Sequence, residues 1–304
     1  MSIPFISFQD GDGLLDWIGL TEALIAGHKA PKADIGDTFL YRDPDTLLSR
    51  SAFIDGLGVA VKSATVFPGN PDQGKPMIHG AVTLFSDEDG TPEALLDFHL
   101  VTKWKTAGDS LLGARLLARP GARRILLVGA GTVGRNLHSA YATAFPEATF
   151  TVWSRTAKSA EAMAAACGIT PVYDLEAAVR EAEIIACATM TTEPIINGDW
   201  VQPGTHVDLI GAYRPDMREV DSTLLNKARI FVDSFDTTLD HIGELKIPLA
   251  KGDITRDQVL ADYYHMDRFV RESDADITLF KNGGGAHLDL MTSRYILERW
   301  RAAQ

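Results

Sequence analysis

The stretch Arg123–Ala160, RRILLVGAGTVGRNLHSAYATAFPEATFTVWSRTAKSA, reads as strand, glycine turn, helix and strand. Ile125–Val128 is an unbroken apolar run, and the segment behind the glycines carries Leu137, Tyr141 and Ala144 at helical spacing. Between them stands Gly129-Ala130-Gly131-Thr132-Val133-Gly134, a G-x-G-x-x-G in the strand-to-helix setting that gives the motif its meaning. Gly129 permits a tight turn, Gly131 lets backbone approach a pyrophosphate, and Gly134 lets helix and strand pack closely, while the helix N-terminus favours negative charge. The unit is therefore expected to bind a dinucleotide. Its second strand would commonly end in Asp or Glu, to hydrogen-bond a ribose 2′-hydroxyl. This chain has Trp153-Ser154-Arg155-Thr156 instead. Two hydroxyls and a guanidinium suit a 2′-phosphate. NADP(H) is expected in preference to NAD(H), with NAD(H) still admissible.

Outward from this unit, strand patterns at Thr149–Trp153, Ile184–Ala188, His206–Ile210 and Ile230–Val232 alternate with helical ones such as Ala157–Ala166 and Leu175–Glu181. Such βαβ alternation predicts a parallel sheet with helices on both faces. The chain before Pro120 is mixed: a helix over Asp16–Gly27, then the strand-like runs TFLYR, GVAVKSATVF and IHGAVTLFSD, with an Asp-Gly turn in SDEDGT. Leu95–Leu117 reads as a strand end followed by a helix, with Thr102 a candidate N-cap. The Pro-Gly punctuation of ARPGARR marks the domain boundary. Gly284–Ala302 is again helical and is expected to return to the first domain. The fold class is α/β: a Rossmann-type parallel-sheet domain over 121–280 and an α+β domain over 1–120, completed by 281–304.

The 304 residues carry 29 basic against 41 acidic side chains, a net charge of −12, which disfavours a nucleic acid or an anionic membrane surface as partner. Cys167 and Cys187 lack metal-ligand spacing, no metal-ligating cluster is visible, and a disulfide is not expected. No basic segment precedes a long apolar run near Met1, and no apolar stretch reaches the roughly 20 residues that span a bilayer. A reducing cytosol is the simplest setting.

Lys62 interrupts the apolar strand GVAVKSATVF. It could bind a carboxylate or work as an acid–base group, although patterning alone slightly favours a place on the exposed face. Lys103 and Lys105 in LVTKWKTAGDS fit a carboxylate site or a solvated helix face. His79 either meets a ligand or is a core histidine, the latter being the commoner case. GAYRPDMREVD follows a strand at the sheet edge where ligands bind, and LFKNGGG opens the last helix.

Taken together, VAVKSATVFPGNP, HGAVTLFSDEDGTPEALLD, VTKWKTAGDSLLGARLLARP, VGAGTVGRNL, ATMTTEPIINGDWVQPGTHVDLIGAYRPDMREVD and ITLFKNGGGAHLDL resemble the ornithine cyclodeaminase/μ-crystallin family, from about Phe53 to the C-terminus. The resemblance implies that the first domain binds substrate and forms a homodimer. It implies a small amino or imino acid substrate and a nicotinamide cofactor, with Thr189 among the cofactor-binding residues. Lys62 matches the family's active-site lysine. Lys105 stands where the family usually has a carboxylate-gripping arginine, so Lys105, Arg50 and Lys32 all remain candidates for that grip, with His79 a further substrate-binding candidate. Ornithine cyclodeaminases carry a catalytic aspartate where this chain has Tyr213. That departure, with Arg155, favours NADPH-linked reduction of a cyclic ketimine, Δ1-pyrroline-2-carboxylate or Δ1-piperideine-2-carboxylate. An alanine dehydrogenase-like reaction, ornithine cyclodeamination and non-catalytic NADPH-dependent binding are the alternatives.

Overall fold

In the computed structural model, which describes residues 3–304, the glycine-rich unit folds as its pattern requires. Arg124–Val128 is a strand, Thr132–Ala144 a helix and Thr149–Trp153 the neighbouring parallel strand. By packing, the chain divides into the residues up to Lys105 with Gly285–Gln304, and Thr106–Gly284. The division falls inside the helix Phe98–Leu117, whereas the Pro-Gly punctuation comes after it.

The first unit holds a six-stranded sheet of β1 (Phe5–Ile6), β2 (Asp34–Arg42), β3 (Asp45–Ile54), β4 (Gly58–Val66), β5 (Ile78–Phe85) and β6 (Pro92–Asp97), in the order β1-β6-β5-β4-β3-β2. Its pairs are antiparallel except β1 with β6. Alternate residues of β4 are buried, with Ala60, Lys62 and Ala64 on the inner face. The small alanines there leave room for the C-terminal helix Ala286–Ala302, which packs across β3 and β4 and against the helix Trp17–His28. Strand β3 is absent from the expectations because the polar Ser49, Arg50 and Ser51 break the apolar alternation of DTLLSRSAFI. The helix Phe98–Leu117 is capped by Asp97, whose Oδ1 accepts from the amides of His99 (2.7 Å) and Leu100 (3.0 Å). Thr102, expected as the cap, lies one turn inside the helix, so that reading is corrected.

The second unit is built on an all-parallel sheet of β7 (Arg124–Val128), β8 (Thr149–Trp153), β9 (Thr170–Pro171), β10 (Ile184–Cys187), β11 (His206–Leu209), β12 (Ala228–Val232), β13 (Val259–Ala261) and β14 (Ile277–Lys281). The order is β13-β12-β14-β11-β10-β7-β8-β9. Its β9-β8-β7-β10-β11-β14 portion is the Rossmann order, and the direction of winding reverses between β7 and β10. Strands β7, β10, β11 and β14 are buried almost throughout, as central strands covered on both faces must be. For that reason ITLFK, an apolar run too short to show a period, reads in the sequence as the approach to the last helix. It is instead β14, between β11 and β12.

Candidate active site

Lys62 lies on the inner face of β4 and is 5% exposed, contrary to what patterning alone favours. Its Nζ donates to Asp289 Oδ1 at 2.9 Å and sits 5.2 Å from the Phe98 ring centre. Lys105 Nζ approaches the same carboxylate from the helix Phe98–Leu117, 3.3 Å from Oδ1 and 3.4 Å from Oδ2. Asp289, in the first turn of the C-terminal helix, is fully buried. Arg50 is the register partner of Lys62 on β3, and its guanidinium pairs with Asp37 at 2.7 Å. Two ammonium groups thus share one carboxylate in a place water barely reaches. Buried charges of both signs held this close form a cluster able to bind a further charged group.

The titration behaviour follows. Burial lowers Lys105, Asp289 opposes it, and Lys62 and Arg50 lower it further, leaving a pKa of about 7. Burial raises the Asp289 carboxyl, but Lys105 and Lys62 outweigh burial and hold it below its ordinary value. His287 stands in the same surroundings, with His28 edge-on at 5.3 Å between ring centres. Burial first, then His28 and Lys105, push His287 well down, which keeps it a neutral imidazole.

Other expected substrate residues lie elsewhere. Ala64 pairs with Gly80 and Lys62 with Val82, so period-two alternation puts His79 on the opposite sheet face from Lys62. His79 is exposed, which corrects both the core reading and its grouping with Lys62. Lys103 is held by Asp12 at 2.6 Å, and Lys32 is exposed. In the second unit Tyr213, which stands in place of the cyclodeaminase aspartate, is 59% exposed with Arg214 6.0 Å over its ring. Asp289 is absent from the expectations. The signal that could have found it is the one that singled out Lys62, a charged residue inside an apolar run, here AHLDLM.

In the second unit Gly129 has φ +112°, and a Cβ there would lie 2.6 Å from the Ala188 carbonyl oxygen. A side chain at Gly134 would strike the Gly129 carbonyl, which accounts for the close helix–strand packing. Space around Gly131 is open, as Thr132 and Val133 begin the helix. The ends of β7 and β10, on either side of the winding reversal, thereby bring Gly129 beside Ala188 and Thr189. A cavity of about 320 Å³ is lined by Trp153, Ser154, Arg155 and Thr156 on one side and Thr189, Met190, Thr191 and Ile195 on the other. Its lining holds one cation, four hydroxyls and no carboxylate. A glycine turn with an open helix N-terminus beside such a cavity fits a dinucleotide.

The profile of the ornithine cyclodeaminase/mu-crystallin family matches residues 53–304. A Delta(1)-pyrroline-2-carboxylate reductase of Paracoccus denitrificans is 48% identical over 301 residues, covering 96% of this chain and 95% of its own. Among solved structures, an archaeal alanine dehydrogenase dimer with bound NAD superposes with a TM-score of 0.90 at 26% identity, over 100% of this chain and 97% of that one. A Thermococcus litoralis Delta(1)-pyrroline-2-carboxylate reductase in complex with NADH and L-proline shares the fold, with a TM-score of 0.89 at 24% identity over 99% and 98% of the two chains. Among the described residues, no helix is long and apolar enough to cross a membrane.

Proposed function

The chain belongs to the ornithine cyclodeaminase/mu-crystallin family, and on that footing we propose that it reduces Δ1-pyrroline-2-carboxylate to L-proline, with Δ1-piperideine-2-carboxylate as a second substrate and NADPH as the preferred reductant. The observation that carries this reading is the buried Lys62–Asp289–Lys105 cluster, which brings two lysines to one carboxylate and so supplies a cation and an acid–base group. A nicotinamide dinucleotide held by the Gly129–Gly134 turn and the Ser154–Thr156 side of the cavity would, when bound, supply the hydride that the imine carbon needs. Lys105 binds the substrate carboxylate, and Lys62 gives a proton to the ring nitrogen as the C=N bond becomes C–N. Asp289 keeps both ammonium groups in place before substrate arrives. A second reading, reductive amination of an open-chain 2-oxo acid, draws on the likeness to the alanine dehydrogenase.

Incubation with NADPH and each cyclic ketimine, and separately with pyruvate and ammonia, tests the choice. NADPH oxidation with the ketimine is expected, and its absence sinks the first reading. For the reductant, Arg155→Ala is expected to raise KM for NADPH about tenfold and leave KM for NADH nearly unchanged, because the lost partner is a phosphate. Equal effects on both nucleotides would remove Arg155 from that role.

Lys105 also sets a pH dependence. Its pKa of about 7 means the ammonium is charged below that pH and neutral above it. KM for the imino acid is therefore expected to be flat below pH 7 and to climb about tenfold per unit above it. Lys105→Arg keeps its charge, so the climb should vanish; a profile identical to the original would refute the assignment.

We also propose a homodimer formed through the β2–β3 hairpin. Strand β2 is an unpaired sheet edge, and Phe39, Leu40, Tyr41 and Leu47 are exposed on the hairpin. Light scattering should give twice the 33.0 kDa chain mass, and Leu40→Lys with Tyr41→Lys should return it to the single-chain value.

A further inference from the structure

Glu219 is fully buried, yet it belongs to neither the glycine turn nor the cavity lining. One carboxylate oxygen accepts from the Thr189 amide at 2.7 Å and from its hydroxyl at 2.8 Å. The other accepts from the amides of Gly211 at 2.8 Å and Ala212 at 3.3 Å. The Glu219 carbonyl takes the amides of Ile195 (3.0 Å) and Ile196 (3.1 Å). One residue therefore ties the loop after β10, the loop after β11 and the far wall of the cavity. Gly211 makes the approach feasible: a Cβ there would collide with the Thr189 backbone and lie 2.6 Å from a Glu219 carboxylate oxygen. Glu219 is in turn seated by Glu244, whose carboxylate accepts from the amides of Glu219 (2.8 Å) and Val220 (3.1 Å).

We propose that Glu219 is a positioning residue for nucleotide binding, clamping Thr189 and Gly211 so that the cavity wall Thr189–Thr191 is formed before the nucleotide arrives. Four hydrogen bonds accepted by one buried carboxylate hold two loops whose backbone would otherwise need water. A preformed wall spares the nucleotide the ordering of those loops on binding. Glutamine at 219 keeps the shape, but its amide nitrogen faces N–H or O–H donors on one side of the clamp, so half of it is lost. The inference rests on the reading of this unit as a nucleotide site.

The test uses the whole chain and two readouts, NADPH affinity by fluorescence and hydrogen exchange at the Thr189 and Gly211 amides without nucleotide. Glu219→Gln is expected to weaken NADPH binding about tenfold and to speed exchange at both amides, with KM for the imino acid within about twofold of the original. A folded variant with unchanged affinity and exchange overturns the proposal. Should that variant not fold, Thr189→Val removes just the hydroxyl donor. It is expected to speed exchange at Gly211, whose amide makes no hydrogen bond to that hydroxyl but shares the same carboxylate; unchanged exchange there also overturns it. Where both variants fold, the double variant should bind no worse than Glu219→Gln alone, and multiplying effects would count against a shared clamp. If the unaltered chain binds neither NADPH nor NADH, the nucleotide reading itself fails, which is a distinct outcome.

Discussion

Asp289→Asn is expected to lower kcat/KM for the imino acid by about 100-fold or more at pH 8, and by much less at pH 6. The asymmetry follows from what holds Lys105 charged. Burial already brings its pKa to about 7, and Asp289 is the partner that opposes burial. Without that carboxylate Lys105 falls further, so at pH 8 it offers the substrate a neutral amine. At pH 6 more of it is protonated, and the incoming carboxylate takes part of the place Asp289 held. Lys62 also exchanges a charged acceptor at 2.9 Å for a neutral amide oxygen, so the proton donor is held less firmly. Removing one member of a buried ion cluster destabilises by about 3–5 kcal/mol, and melting temperature should fall accordingly. The sign agrees with the Asp289 carboxyl, held below its ordinary value by the lysines. Its contribution to stability is present above the unfolded-state carboxyl pKa and disappears as the pH falls through the depressed one. A pH–rate profile and thermal melts measure both effects. A uniform loss at all pH values would mean Asp289 matters for folding alone.

Lys62→Met should cut kcat by about 10²–10⁴, the usual span for loss of a positioned general acid. Methionine nearly fills the lysine stem's volume against Phe98 and the C-terminal helix, so packing changes little. The variant also leaves Lys105 as the sole lysine on Asp289, which removes one of the two cations that would attract the substrate carboxylate. KM for the imino acid should therefore rise as kcat falls. Nucleotide affinity should change little, because Lys62 belongs to neither the glycine turn nor the lining of the cavity beside it. Full turnover by Lys62→Met would show that the proton comes from another group and that the cluster serves binding only.

These two residues mark the limit of what could be read from sequence. Lys62 was visible because a lysine inside GVAVKSATVF breaks a run, but its burial depends on Ala60 and Ala64 admitting a helix more than 200 residues later in the chain. Asp289 carried a similar signal in AHLDLM without a partner to give it meaning. His79 shows the converse, since a one-residue offset in a strand moves a side chain to the other face, and that register comes from pairing with β4.

The nucleotide-binding architecture was determined by the sequence alone. Its signals are local: a glycine spacing set by one turn's backbone geometry, short apolar runs between helical periods, and the identity of the residues ending the second strand. The placement of β14 among the parallel strands, the Glu219 clamp and the convergence of Lys62, Lys105 and Asp289 were decided by tertiary structure. Each joins residues whose separation along the chain carries no periodicity, and the clamp and the lysine–aspartate cluster depend on buried charges that become favourable only when their partners arrive together.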